Sequence, residues 1–180
     1  MLSFTTALLA ALPLALGSGG PAPAGIDEKA PVISRDDIVI DAPLDRVWRI
    51  QTNVENWPAR QPGVSSSVKR TPGPLRPGSS WVWSAEGLED ITSTLKQAQP
   101  GRPIVWGGPA QGITAVHMWT FTQAKDGVHV HTEESWTGDP VTADTAYLQR
   151  ALDASLDDWL HNLKQRAEQR HPEPKGDTCP

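Results

Sequence analysis

The groups with which this 180-residue chain could do chemistry are its five histidines and the carboxylates, among 21 Asp and Glu, that could partner them. Three histidines and two glutamates crowd into one stretch: His117, His129, His131, Glu133 and Glu134. His117 and Glu134 form the pair of interest. An imidazole hydrogen-bonded to a carboxylate inside an apolar cavity is a general acid/base, because burial and the partner both move pKa values toward the working range. The same pair can instead satisfy two buried polar groups, fix strand register and orient a ligand without chemistry. His129, His131 and Glu133 have the H-x-H-x-E spacing of a metal-ligand ladder. The single cysteine, Cys179, excludes an internal disulfide and a multi-cysteine metal cluster, and its place in the C-terminal tail argues against Cys–His catalysis. No G-x-S-x-G elbow, P-loop or G-x-G-x-x-G motif occurs in context. Asp157 and Asp158 are adjacent on a helix, so they point about 100° apart and read as a solvated face.

Two strands must position the His–Glu pair. Asp126-Gly127 is the strongest hairpin signal in the chain and joins Ile113–Thr122 to Val128–Trp136. Side chains alternate across a strand. An even-length loop therefore sets Ala115, His117, Trp119 and Phe121 on the same face as Val130, Thr132, Glu134 and Trp136. This bulky face is assigned to the interior. His129, His131 and Glu133 fall on the opposite, solvated face, where no fourth ligand is in view, so no metal is expected. A four-residue loop would place His117 directly opposite Glu134; a two-residue loop on Asp126-Gly127 would make them diagonal neighbours.

The remaining elements follow from pattern. Asp36–Ile40 reads as a first strand, and Asp41-Ala42-Pro43 opens a short helix with Val47, Trp48 and Ile50 on its apolar stripe. Val54–Ala59 forms a second short turn broken by Trp57-Pro58. Further strands are predicted at Val64–Arg70, Ser79–Ala85, Asp90–Gln99 and Ile104–Gly107. A long helix over Ala143–Gln169 carries Leu148, Leu152, Leu156, Trp159, Leu160, Leu163 and Ala167 at spacings of 3 and 4. Its acidic residues fall mainly in the first half and Lys164, Arg166 and Arg170 in the second, as the helix dipole favours. The fold class is α+β, an antiparallel sheet covered on one face by an amphipathic helix.

Eight tryptophans stand against two Phe and one Tyr. Trp48 and Trp159 lie on helix stripes and are expected in the core, and Trp57 packs the short helix at the cavity mouth. Trp81, Trp83, Trp119 and Trp136 share the inner sheet face with Phe121, and Trp106 joins them if its strand keeps parity. Indoles on such a face wall a site for a flat or ring-bearing ligand. Alternatively, the rings fill the space and leave a small, nearly closed pocket.

Residues 1–24 carry no charge, and Ala7–Leu16 is an apolar run of signal-peptide length, too short for a span of about 20 residues. With the breakers after it, 1–24 reads as a signal peptide, 25–34 as a linker, 35–170 as one domain and 171–180 as a disordered tail. Cleavage would place the protein outside the cell or in its envelope; without cleavage it would be cytoplasmic. Net charge is −5, without long Lys/Arg runs, which disfavours nucleic acid as a partner. No stable membrane insertion of the mature chain and no cofactor are expected, and the sequence assigns no oligomeric state.

The order of these residues resembles the START-like superfamily, the polyketide cyclase/dehydrase and lipid-transport (SRPBCC) group. Ile38-Val39-Ile40-Asp41-Ala42-Pro43 with Val47-Trp48 is similar to the family's opening strand and helix, and Val54-Glu55-Asn56-Trp57-Pro58 to its second helix. Trp81-Val82-Trp83, Ile104-Val105-Trp106 and Thr132–Gly138 are similar to sheet strands, and Leu156–Leu160 with Leu163-Lys164 to the C-terminal helix. The resemblance covers residues 36–168 and implies a helix-grip fold: a curved sheet of about seven strands around the long helix, enclosing an apolar cavity. Members bind lipids, hormones or aromatic compounds there, and some catalyse cyclisation or dehydration.

Two readings follow. In the first, the cavity binds a small hydrophobic or aromatic molecule against Trp81, Trp83, Trp106, Trp119, Phe121 and Trp136, with His117 and Glu134 as polar anchor. In the second, the protein is a cyclase/dehydratase-type enzyme using His117 and Glu134 as acid/base. Beyond these small-molecule readings, a protein partner at the short-helix edge near Trp57 is the alternative.

Overall fold

The computed structural model describes residues 25–169 except 86, 100 and 102; the signal-peptide assignment, the tail and Cys179 lie outside these residues. Seven strands form one antiparallel sheet: β1 (Val32–Ile40), β2 (Val64–Lys69), β3 (Ser80–Ala85), β4 (Leu88–Gln97), β5 (Ile104–Ala110), β6 (Ile113–Ala124) and β7 (Gly127–Thr137). Their spatial order is β1-β7-β6-β5-β4-β3-β2, so every neighbour is sequential except β1, which closes on β7. Helix α1 (Leu44–Thr52) and a 3₁₀ turn (Val54–Ala59) fill the connection from β1 to β2. A single turn, α2 (Asp139–Ala143), leads into the long α3 (Thr145–Glu168), which lies across the concave face. No helix among the described residues is long and apolar enough to cross a membrane.

The periodic elements formed where the patterns place them; the boundaries moved for local reasons. α3 starts after Asp144, whose carboxylate accepts the Tyr147 N–H at 3.1 Å, the side-chain cap that satisfies an orphan donor. The turn before it, α2, is too short to show a 3.6-residue period, yet it buries Val141 completely. β1 begins at Val32, so three residues read as linker are strand. The edge of β1 does not end in water. Gln149 of α3 turns its amide onto Ile33, donating to its carbonyl at 2.9 Å and accepting its N–H at 3.3 Å. A side chain thus satisfies edge groups that would otherwise invite another strand.

The outer face of β7 also differs from expectation. Glu133, predicted on a solvated face, is buried at 9% exposed, and its face neighbour Ser135 is 1% exposed. The segment before β1 folds back over them: the Asp27 N–H donates to Ser135 Oγ at 2.9 Å, and Arg35 bridges Glu28 at 2.6 Å and Glu133 at 2.9 Å. His131 sits beside Asp37 at 2.9 Å and His129 beside Asp126 at 2.9 Å, so each imidazole of the H-x-H-x-E stretch faces its own carboxylate. No group of three possible metal ligands occurs among the described residues.

Two buried clusters make the interior. The larger joins α1, the 3₁₀ turn, the C-terminal half of α3 and the sheet through Ile40, Val47, Trp57, Trp81, Trp119, Leu160 and Leu163. The smaller joins Val32, Val141, Leu152 and Leu156, with Ile113 and Trp136 packed against it. Residues of both line the space described next.

Candidate functional site

β6 and β7 meet through a two-residue loop, Lys125-Asp126, centred one residue earlier than the Asp-Gly signal suggests, with Ala124 paired to Gly127. That shift makes His117 the direct partner of Glu134, where a two-residue loop on Asp126-Gly127 would have set them diagonally. Gly127 takes φ +136°, and a Cβ there would stand 2.5 Å from the Ile40 carbonyl oxygen, which leaves glycine as the residue that fits.

The pair is close and enclosed. His117 Nδ1 lies 3.0 Å from Glu134 Oε2, and Trp136, two residues along the same strand face, donates its indole N–H to Glu134 Oε1 at 2.8 Å. Burial pushes the Glu134 carboxyl up, but the charge and hydrogen bond of His117, together with the Trp136 bond, outweigh it and hold the group below the usual carboxylate range. Glu134 is therefore ionised near neutral pH and only accepts, so Nδ1 of His117 carries a proton. The other ring nitrogen, Nε2, is 2.8 Å from Thr132 Oγ1, which also reaches the Met118 carbonyl at 3.2 Å. The Thr132 hydroxyl can donate to Nε2, or it can accept from a protonated Nε2 and donate to Met118. Either way, both imidazole nitrogens are engaged by the protein. The ring is further held between Trp106, 4.8 Å away, and Trp119, 5.2 Å away.

His117 and Glu134 border a cavity of about 90 Å³. Its sheet wall carries Trp83, Ile91, Trp106, Ala115 and Trp136; its helix wall carries Ser155 and Trp159, one turn apart on α3. Leu88, Ala110, Ile113 and Ser155 are partly exposed and form the rim, between the β3–β4 and β5–β6 hairpins and the helix. The wall between Trp106 and Ala110 is bare backbone. A Cβ on Gly107 would meet the Ala115 carbonyl oxygen at 2.2 Å, and one on Gly108 the Thr92 carbonyl oxygen at 1.9 Å. His117 and Glu134 are the only titratable groups in the lining among the described residues, within a wall that is otherwise mostly apolar.

Strand parity located the inner face, but position along each strand decides which inner residues reach the cavity. Trp83, Trp106 and Trp136 border it. Trp81, Trp119 and Phe121, expected to wall a ligand, instead pack in the aromatic core. Trp81 and Trp119 have no exposed surface, and Phe121 lies between Trp119, stacked at 6.3 Å, and Trp48, edge-on at 5.7 Å. Trp57, expected at the mouth, is fully buried at the centre of the indoles. It stands edge-on to Trp81, Trp83 and Trp159 at 5.6, 5.5 and 5.0 Å, and its N–H donates to the Gln51 carbonyl at 3.1 Å. Trp159, read as helix core, borders the cavity as well as the core. Gln61, Ser93 and Ser155 also line it and were not singled out from the sequence. The paired glycines inside a strand pattern were a readable signal, since they mark close backbone approach.

A family model described as polyketide cyclase/dehydrase and lipid transport matches residues 32–168, from the first residue of β1 to the last of α3. A Streptomyces halstedii protein, named as a candidate polyketide cyclase, is 30% identical over 106 residues, covering 53% of this chain and 92% of its own. Among solved structures, a hypothetical protein of Helicobacter pylori superposes with TM-score 0.68 at 13% identity, over 92% of this chain and 100% of its own. The ZhuI aromatase/cyclase of a Streptomyces species superposes with TM-score 0.67 at 14% identity (77% and 94% coverage). A START superfamily protein of Mycobacterium smegmatis gives 0.62 at 11% (76% and 97%). At these identities the structural likenesses speak for the fold, a helix-grip α+β fold. The family match spans every strand, the long helix and both members of the His–Glu pair, and the chain belongs to the polyketide cyclase/dehydrase and lipid-transport family of START-like (SRPBCC) domains.

Proposed function

We propose that this domain binds a small, ring-bearing apolar molecule in the cavity beside His117 and Glu134, and that Glu134 accepts a hydrogen bond from a hydroxyl or N–H of that molecule. The observation that carries the reading is the engagement of the pair. Both imidazole nitrogens are held by Glu134 and Thr132, whereas each Glu134 oxygen, bonded once, keeps a second acceptor site. An ionised acceptor in an apolar wall selects a donor-bearing ligand, since a charge-assisted hydrogen bond is worth about 1.5–3 kcal/mol. Size narrows the class. A cavity of about 90 Å³ is well below the roughly 300–1,000 Å³ of drug-sized sites, so a single ring extending into the mouth fits and a fused multi-ring ligand does not without opening of the rim. Native mass spectrometry of the protein purified from its own host tests the reading. A co-purifying one-ring compound with a hydroxyl or N–H, lost in Glu134→Gln, supports it; release of only fused multi-ring or purely hydrocarbon ligands contradicts it.

One observation favours a second reading, an enzyme of the cyclase/dehydratase type. His117 is oriented by an ionised carboxylate, the arrangement that prepares an imidazole for proton transfer, and the Streptomyces halstedii relative carries a cyclase name. In that reading His117 acts only after Nε2 exchanges Thr132 for substrate. Turnover that is lost in His117→Ala while ligand affinity persists would decide for the enzyme.

A further inference from the structure

The residue that the cavity does not account for is Arg60, at the end of the 3₁₀ turn. It is 7% exposed, and its guanidinium has one hydrogen bond, from Nη2 to Gln51 Oε1 at 2.7 Å. Nε and Nη1 have no partner among the described residues, and neither does the buried Gln61 Oε1 beside it. No carboxylate lies within ion-pair distance of Arg60 among those residues; the Trp159 ring, 5.1 Å from the guanidinium carbon, is its cation–π neighbour. Burial pushes the Arg60 pKa down to about 9. A buried arginine with neither counter-ion nor full hydrogen bonding is an expensive arrangement that proteins ordinarily avoid by pairing the charge.

Nε and Nη1 have no accessible surface of their own, and they lie in a residue that borders the surface. Arg60 and Gln61 line a surface groove of about 240 Å³ between the 3₁₀ turn and the C-terminal half of α3, facing Asn162, Gln165 and Arg166 across it. No Asp or Glu is among the described residues that line this groove, although the chain as a whole carries a net charge of −5. Arg166 spends one N–H on Gln169 Oε1 at 3.0 Å. The groove therefore offers guanidinium and amide groups and no competing acceptor charge, the chemistry that receives an oxyanion.

We propose that this groove is an anion site, in which the Arg60 guanidinium turns outward to present its unpartnered N–H groups and, with Arg166 at the rim, receives a carboxylate- or phosphate-type oxyanion. The groove shares Gln61 with the lining of the His117–Glu134 cavity, but the two guanidinium groups, Arg60 and Arg166, do not line that cavity. The anion supplies the counter-charge that the fold leaves out.

The test uses the full chain and three probes at constant ionic strength. Calorimetric titration with inorganic phosphate gives saturable binding to the wild type, weakened about tenfold or more in Arg60→Met, the loss expected for one charge-assisted hydrogen bond. In melting experiments phosphate raises the transition temperature of the wild type more than that of Arg60→Met, which lacks the guanidinium. General stabilisation by phosphate exclusion persists in the variant, so the difference between the two proteins isolates the site. Benzoate asks whether a carboxylate suffices. Co-sedimentation with phosphatidylcholine vesicles, with and without phosphatidylglycerol, asks whether the oxyanion is a lipid headgroup: Arg60-dependent sedimentation assigns it to a lipid, and phosphate binding without sedimentation assigns it to a soluble ligand. Should Arg60→Met not fold, Arg166→Gln at the partly exposed rim serves, with severalfold weaker binding expected. Absence of saturable binding of all three probes to the wild type, or affinities unchanged in both variants, overturns the proposal.

Discussion

At one end of the grip Trp57, Trp81 and Trp119 have no exposed surface; at the other, Trp83 and Trp136 border open space of about 90 Å³. Apart from Trp57, which the 3₁₀ turn supplies, both ends use indoles on the same inner sheet face, so residue type does not separate them. The difference lies in what surrounds the rings. Along β6 the inner residues pass from Ala115 through His117 to the bulkier Trp119 and Phe121. Along β5 bulk falls away after Trp106 into Gly107, Gly108, Pro109 and Ala110. The two strands set Ala115 opposite Gly108 in the cavity wall, and the large residues lie beneath α1 and the 3₁₀ turn. A hollow in this fold is made by what is missing beside the aromatic rings, and the packed end supplies the rigidity that keeps it from collapsing.

The comparison breaks first at the packed end. Trp57→Ala removes the ring that touches Trp81, Trp83, Trp106 and Trp159 and should cost about 3–5 kcal/mol, read as a lower urea midpoint with little change in slope. A loss below about 1 kcal/mol would mean that the cluster is not what holds this end. Glu134→Gln comes next. It removes one member of a buried pair, and the cost is up to about 3–5 kcal/mol where the remaining charge has no other partner. Its pH signature separates this loss from mere repacking. The folded-state pKa of Glu134 is depressed, so its contribution is present above the unfolded value near 4.5 and is lost as pH falls through the folded value. The wild type should therefore lose more stability than Glu134→Gln on acidification below about pH 4.5. Parallel curves for the two proteins would contradict an ionised Glu134.

Smaller effects sharpen the hollow end. Gly107→Ala places a Cβ against the Ala115 carbonyl and should cost about 1–3 kcal/mol, with altered ligand binding because the strand that must move lines the cavity. Unchanged stability would show that the bare strand is not needed for the wall. Asp144→Ala, remote from both ends, removes the α3 cap and should cost about 1 kcal/mol without altering ligand binding. It serves as the control for general destabilisation.

Much of this was readable in the sequence, and the unread part has a physical pattern. The long stripe from Leu148 to Ala167, the alternation in β6 and β7, and the family resemblance pointed to the helix-grip fold, because periodicity reports faces. The same alternation put His117 and Glu134 on one face. It could not report depth along a strand, and so Trp81, Trp119 and Phe121 were expected beside a ligand when they belong to the core. Trp57 was misplaced for the opposite reason: its Trp-Pro turn looks like surface punctuation, and only the closure of β1 onto β7, with α3 across the sheet, buries it. The outer-face prediction failed at Glu133, which Arg35 of β1 covers while Glu28, in a segment without periodic pattern, holds Arg35 from the other side. Arg60 carried no signal at all, since an arginine after a short helix reads as solvated until its neighbours are known.

The most direct measurement of the central claim is a calorimetric comparison of phenol and toluene, matched in size and differing in the hydroxyl. Phenol should bind saturably and about tenfold or more tighter than toluene, with the preference abolished in Glu134→Gln and retained in Asp144→Ala. Equal affinities, or a preference for phenol that survives Glu134→Gln, would contradict the account.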